Sequence, residues 1–236
     1  VTMTYPLIGN YGVNKEDMES AGAHPRAFLM REYQKRPSNF RATGDLAEFL
    51  RQYNVLGIEG FDTRMLTRKL RTVGALKGIV STEDLDSVSL VQRARHWDGL
   101  VGRDMIKRVT CLAPYTWQNG APKPGNNFPE QGKWKVVVYD FGIKYNQLRL
   151  LTERGCRLVV VPATTTAEEA LALKPDAVFL SNGPGDPAGI QGVVENIKRL
   201  LDKLPIFGIC LGHQLLGLAY GASTYKLKFG HRGGNQ

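Results

Sequence analysis

The second half of the chain alternates short apolar runs with amphipathic segments, and this pattern limits the fold more than any other feature. The apolar runs occupy 135–139, 158–161, 177–180 and 206–209. Helical patterns separate them, and Thr166 with Glu169 forms a capping-box sequence at one helix start. Strands that alternate with helices build right-handed βαβ units. We therefore predict an α/β fold with an open, mainly parallel sheet covered by helices on both faces.

The first half carries mixed signals that predict a smaller α+β accessory domain over 1–111. We expect helices that begin after Asp45 and Asp62 and a third helix over 87–95. Short strands are expected at 55–58 and 79–80.

A stretch dense in Pro and Gly, 112–133, separates the two halves. Turn-forming residues at this density predict an irregular linker rather than regular structure. The second domain then covers 134–236. Because the chain begins at Val1 and stops just after a Gly-rich run, we expect both domains to be incomplete at the outer ends.

Cysteine spacing, net charge and the length of the apolar runs limit the kinds of site and the classes of partner that we expect for this chain. Cys111, Cys156 and Cys210 lie far apart without a CxxC pair, which argues against a disulfide framework or zinc site and favours a reducing, cytoplasmic setting. The formal net charge is +9, but the densest basic group, within 64–71, has the helical spacing of a solvated helix face. No nucleic-acid motif accompanies it, and no apolar run approaches the roughly 20 residues that span a bilayer. We expect neither nucleic acid nor membrane as a partner.

The segment Gly208-Ile209-Cys210-Leu211-Gly212 stands between the fourth predicted strand and its helix. A nucleophile elbow needs small residues on both sides of the nucleophile because the turn is strained and strand and helix pack closely. The helix start favours a thiolate, and the N–H of Leu211 is free to bind an oxyanion. The alternative is an inert cysteine between glycines that merely permit tight packing. We favour a catalytic nucleophile at Cys210.

The loop Ser181–Pro187 follows the third predicted strand, so it lies at the same carboxyl edge of the sheet. Its glycines allow the backbone to approach a ligand, and the N–H groups of Gly183 and Gly185 are candidate donors to a carboxylate or oxyanion. Taken alone, an ordinary turn explains the loop at least as well. Its place beside Cys210 favours binding.

Three further side chains lie near these motifs. Gln214 lies on the first turn of the helix after Cys210, where its amide could bind a small polar substrate or face solvent. His213 lies on that same helix, whereas the bases of such elbows come from a distant loop, so we expect a packing or surface role. His231, in the Gly-rich run near the end of the chain, is expected to be structural.

The segments Gly208–Gln214 and Ser181–Pro187 together resemble the class I, triad-type glutamine amidotransferase domain. Other segments resemble the family of small, glutamine-hydrolysing subunits of carbamoyl-phosphate synthetase. These are Tyr5–Gly12, Gly60–Arg68, Tyr139–Lys144 and Lys228–Asn235. The resemblance covers essentially the whole chain, and the accessory domain distinguishes this family from other amidotransferases.

The resemblance implies a role for each matching residue. Cys210 matches the nucleophile that forms a glutamyl thioester. Gly183, Gly185, Leu211 and Gln214 match positions that bind glutamine, with the Leu211 N–H and a glycine N–H forming the oxyanion hole. Ammonia would pass to a large synthetase subunit. We expect ATP and Mg²⁺ on that partner only, and no cofactor or metal in this chain.

The resemblance also places several functional groups outside the chain. The family's catalytic His and Glu and a glutamine-binding Asn-His-Gly-Phe segment would follow Gln236, and a glutamine-binding serine would precede Val1. We therefore expect little or no glutaminase turnover from this chain alone. Two alternatives stay open: an amidotransferase domain that serves another synthetase, and a non-catalytic binding module.

Overall fold

The computed structural model describes residues 1–190 and 192–228. Their contacts divide the chain into two units. The first contains Val1–Asp98 together with 226–228, and the second is Gly99–Tyr225. The predicted boundary at 112–133 therefore lies inside the second unit, well beyond the point where the contacts separate.

The first unit combines short strands with helices around a small core. Its elements are β1 Leu7–Ile8, β2 Ala27–Leu29, β3 Glu32–Tyr33, α1 Leu46–Gln52, β4 Leu56–Ile58, α2 Thr63–Val73 and α3 Ser87–His96. Strand β1 pairs with β3 and β2 pairs with β4, both in parallel. The buried apolar cluster consists of Met30, Leu50 and Val55.

Aspartates start the helices of this unit, which confirms the predicted helix positions. Asp45 accepts a hydrogen bond from the N–H of Glu48, Asp62 from Met65, and Asp86 from the first turn of α3. The strand predicted at 79–80 is wrong, since those residues join no ladder. A strand exists only through hydrogen bonds to a partner, which two apolar residues cannot specify.

The second unit is built on a sheet that runs through its centre. Its elements are β5 Tyr115–Gln118, β6 Ala121–Pro124, β7 Trp134–Asp140, α4 Tyr145–Glu153, β8 Cys156–Pro162, α5 Ala167–Ala172, β9 Ala177–Leu180, α6 Val193–Leu200, β10 Ile206–Gly208 and α7 Leu211–Ala219. The strand order is β10-β9-β7-β8-β5-β6. Strands β10, β9, β7 and β8 are parallel, which confirms the predicted α/β class.

The predicted irregular linker contains a β-hairpin, so that part of the prediction is wrong. Strand β5 pairs antiparallel with β8 on one side and β6 on the other. Asn119 and Gly120 make the two-residue turn with φ angles of 53° and 74°, as hairpins with primed turns require. Pro122 and Pro124 lie on β6 at the edge of the sheet, where a missing N–H leaves no neighbour unpaired.

Both faces of the parallel strands are buried. Along β7, Val137 and Tyr139 join one apolar cluster, while Val136 and Val138 join the other. Helices α5, α6 and α7 contribute to the first cluster and Leu148 of α4 to the second. This burial explains why the strands read as continuous apolar runs rather than alternating ones. Among the described residues, no helix combines the length and apolar character that crossing a membrane requires.

Candidate active site

The chain order of the sheet places three loops at one point of its carboxyl edge. From β7 the chain adds β8 on one side, and then returns to add β9 and β10 on the other side. The connection therefore reverses direction between β7 and β9, and ligands of open α/β sheets bind beside such a reversal. The loops after β7, β9 and β10 meet there.

Cys210 occupies a sharp turn between β10 and α7. Its backbone has φ 52° and ψ −110°, a conformation that residues with a side chain rarely adopt. The side chain is exposed. The structure thus places the predicted nucleophile at the rim of the parallel sheet, at the start of a helix.

The glycines on either side of Cys210 permit this turn. A Cβ added at Gly208 would lie 2.6 Å from the carbonyl carbon of Gly212, and one added at Gly212 would overlap the carbonyl oxygen of Leu180. Larger residues at either position would push α7 away from β9 and β10. The flanking glycines are therefore a requirement of close strand–helix packing.

Backbone hydrogen bonds attach the elbow to the end of β9. The N–H of Ile209 donates to Leu180 O and the N–H of Gly212 donates to Ser181 O, each at 3.0 Å. Leu211 is the first residue of α7, so its N–H has no intrahelical acceptor, and its side chain is only 1% exposed. A fixed N–H therefore lies next to the exposed sulfur.

The loop after β9 comes into direct contact with Leu211. A Cβ added at Gly183 would overlap Phe141 O and lie 2.7 Å from Leu211 Cδ2. Gly185 has φ 100°, which favours glycine, and its surface is exposed. The structure therefore brings the Gly183 loop and Leu211 together, as expected from their positions at the same edge.

Gln214 and His213 both lie on the exposed side of α7. The N–H of Gln214 donates to Cys210 O at 3.0 Å, so this residue is one helical turn beyond the sulfur. Within the described residues, no side chain forms a hydrogen bond with the Cys210 thiol. His231 lies outside the described residues.

The other two cysteines are less suited to nucleophilic attack. Both are half-buried, whereas Cys210 is exposed. Burial, reinforced by the charge of Asp140, raises the pKa of Cys111 to about 12. Burial also raises the pKa of Cys156. Both therefore remain protonated near neutral pH, and a protonated thiol is a poor nucleophile.

Two polar residues of this edge were not singled out from the sequence. Asp140 ends β7 and is 5% exposed, and Asn182 follows Ser181 in the loop after β9. An aspartate before Phe-Gly at the end of a buried strand is a signal for a side-chain-to-backbone turn, which could have identified Asp140. Across 1–190 and 192–228, no group of three or more His, Cys, Asp or Glu is placed to hold a metal ion.

Two family models match separate parts of the chain. The model described as glutamine amidotransferase class-I matches residues 137–236. The model described as carbamoyl-phosphate synthase small chain, CPSase domain, matches residues 1–80.

Curated relatives named carbamoyl phosphate synthase small chain align with the whole chain. Those of Syntrophotalea carbinolica, Nitratidesulfovibrio vulgaris (strain Miyazaki F) and Escherichia coli (strain K12) are 56%, 50% and 47% identical to it. Each alignment covers 100% of this chain but only 64%, 64% and 63% of the respective relative. The chain thus spans a little under two thirds of their length.

Proposed function

We propose, because this chain belongs to the carbamoyl phosphate synthase small-chain family, that the whole protein hydrolyses glutamine and supplies ammonia for carbamoyl phosphate synthesis. The observation that carries the proposal is the exposed thiol of Cys210, held at φ 52° between β10 and α7 beside backbone donors. That arrangement suits a nucleophile that attacks a carbonyl carbon.

The reaction starts with the Cys210 sulfur attacking the side-chain amide carbon of glutamine. A C–S bond forms and the carbonyl electrons move to the oxygen. When the carbonyl re-forms, the C–N bond breaks, and the nitrogen takes a proton and leaves as ammonia. Water then attacks the thioester, which releases glutamate and restores the thiol. We assign the proton transfers to the histidine and glutamate that the family resemblance places beyond Gln236.

The negative oxygen of each tetrahedral intermediate needs donors that are already in position. We assign this role to the N–H of Leu211 and to a glycine N–H of the Gly183–Gly185 loop. Losing one such donor typically costs about 100- to 1000-fold in kcat. The start of α7 adds the favourable end of its dipole. Gln214, one turn further along, is placed to bind a polar group of the substrate.

A large synthetase subunit is the proposed partner and consumer of the ammonia. The match of 1–80 to the small-chain domain supports this partner over another ammonia-using synthetase. We propose that ATP and Mg²⁺ act on that partner. The chain itself needs no cofactor in this scheme, since a thiol and backbone donors supply the chemistry.

The test uses the full-length protein assembled with its synthetase partner. Replacing Cys210→Ser should reduce ammonia release from glutamine by about 1000-fold or more, because the oxygen nucleophile is far weaker. Carbamoyl phosphate synthesis from added ammonium should persist, which shows that the assembly is intact. Cys156→Ser is the matched control and should retain glutamine hydrolysis. Unchanged ammonia release from the Cys210→Ser protein would overturn the proposal.

A further inference from the structure

The loop that carries the candidate oxyanion donor is tied to the loop after β7 by side-chain hydrogen bonds. We propose that Asn182 is a positioning residue that fixes Gly183 against Leu211 by clamping the loop 141–144. The inference rests on the proposed glutaminase function, because the spacing of these donors matters only if an oxyanion forms between them. Asn182 would act through its neighbours and would not touch the substrate.

Both polar atoms of the Asn182 side-chain amide form hydrogen bonds with the loop after β7. Its Oδ1 accepts from the N–H of Lys144 at 3.2 Å, and its Nδ2 donates to Gly142 O at 3.0 Å. Flipping the amide would set oxygen against oxygen and nitrogen against nitrogen, so the two contacts define its orientation. Neither an aliphatic residue nor an aspartate reproduces both bonds.

A second tie lies beside the first. The hydroxyl of Ser181, which is fully buried, accepts from the N–H of Phe141 at 2.9 Å and donates to Asn182 O at 2.9 Å. Asn182 therefore has its main chain and its side chain held toward the same loop. The two residues immediately before Gly183 join the strand ends of β9 and β7.

The loop 141–144 is itself a firm anchor. Asp140 Oδ1 accepts from the N–H groups of Gly142 and Ile143, both at 2.9 Å, and its Oδ2 accepts from Cys111 N at 2.9 Å. A buried carboxylate that accepts from three N–H groups is costly to disturb, because breaking any of these hydrogen bonds leaves the carboxylate or an N–H group without a partner. The loop to which Asn182 bonds is therefore itself held firmly in place.

A change in the position of Asn182 would reach the candidate oxyanion donors through Gly183. It fits between Phe141 O and the side chain of Leu211 so closely that even a Cβ would overlap the former. Displacement of the loop therefore changes the separation of the Gly183 and Leu211 amides. A misplacement of about 1 Å in such a site can cost roughly 100-fold in rate.

The far end of the same loop has its own support. Asp186 accepts from the N–H of Gly102 and from the N–H of Ala188, each at 3.1 Å. Loss of the Asn182 side chain would therefore loosen the Gly183 end, which the Ser181 hydroxyl still joins to the loop 141–144, while Asp186 keeps the other end in place. We expect a local change in donor geometry and not an unfolded loop.

The experiment measures glutamine hydrolysis by full-length Asn182→Ala protein in complex with the synthetase partner. Because the oxyanion forms in the transition state, kcat should fall about 10- to 100-fold while KM changes by less than about threefold. Alkylation of Cys210 by iodoacetamide is measured on the peptide that contains Cys210. Its rate should stay within about twofold of the wild-type rate, because attack of the sulfur on a CH₂ carbon needs no oxyanion donor. Asn182→Asp, which preserves size, should lower kcat in the same way.

Asn196→Ala is the matched control. The Asn196 amide also clamps a loop. Its hydrogen bonds go to Thr165 O, the N–H of Ala167 and the Tyr139 hydroxyl, and none of these groups belongs to the elbow or to the loop 141–144. Its kcat should equal that of the wild type. A wild-type kcat in Asn182→Ala, or a parallel fall in the alkylation rate, would overturn the inference. If Cys210→Ser hydrolyses glutamine normally, the proposed function fails and this inference fails with it.

Discussion

Gly212 has only a hydrogen atom where other residues carry a Cβ, and this allows α7 to begin directly against the end of β9. An alanine Cβ there would overlap Leu180 O and lie 2.6 Å from the Leu180 carbonyl carbon. Both groups are main chain, so neither can rotate away. The elbow at Cys210 therefore depends on glycine for space and not for flexibility.

We predict that Gly212→Ala destabilises the protein by about 2 kcal/mol or more, because the backbone must shift to accept the methyl group. Gly217→Ala on the same helix is the control. Its new Cβ would meet its nearest neighbour, Ala222 Cβ, at an ordinary 3.9 Å. It should be neutral or stabilising by about 0.5–1 kcal/mol. Urea unfolding followed by circular dichroism compares them, and equal midpoints would contradict the packing explanation.

At the same residue scale, local sequence predicted the placement of Cys210 and its glycines but not the clamp at Asn182. The elbow is encoded within five consecutive residues, and its turn and its helix start are local events. The bonds from Asn182 to Gly142 and Lys144 join residues about 40 positions apart. They exist only because β9 pairs with β7, and no short pattern records which strands become neighbours.

At the scale of elements, the parallel strands and their helices were predictable because apolar runs and helix caps are local signals. The strand predicted over 177–180 coincides with β9, and the predicted capping box starts α5. The hairpin β5–β6 is not predictable in this way, because a high density of proline and glycine ordinarily disfavours strands. Edge strands tolerate proline, and edge position is a tertiary property.

The capping box of α5 gives a prediction at this scale. Thr166 Oγ1 accepts from the N–H of Glu169, and Glu169 Oε2 accepts from the N–H of Thr166. Thr166→Ala should cost about 1 kcal/mol of unfolding free energy, measured by thermal or urea denaturation. Thr164→Ala, in the exposed turn before the helix, should change nothing measurable. An equal effect of the two changes would refute the capping role.

Acid should weaken the same capping box. The N–H of Thr166 lowers the pKa of the Glu169 carboxyl below its ordinary value. The native state then binds the proton less readily than the unfolded chain does, so the contribution is complete above the ordinary carboxyl pKa. It is lost as the pH falls through the lowered value.

At the scale of the whole molecule, the two units differ in the size of their cores. The first unit buries a cluster of Met30, Leu50 and Val55, whereas the second buries apolar clusters on both faces of its sheet. Because hydrophobic stabilisation follows the apolar area removed from water, the two units should not be equally resistant to opening.

We predict that native-state hydrogen exchange of the 236-residue chain separates the units. Amides of α1 and β4 should exchange much earlier than amides of β7 and β8, where Val137, Val138, Val159 and Val160 are fully buried. Exchange resolved by peptide mass spectrometry tests this. The amides of α4, a helix of the larger unit, provide a reference for those of helix α1 in the same experiment. Equal protection of α1 and β7 would show that the two cores open together.

The backbone at position 210 also has a consequence for the stability of the fold. A residue with a side chain held at φ 52° and ψ −110° forgoes roughly 1–3 kcal/mol that glycine would recover. Glycine at position 210 would relieve this strain, but it would also remove the exposed thiol. A thiol at this turn is therefore held at a cost in fold stability, which favourable packing elsewhere in the chain has to offset.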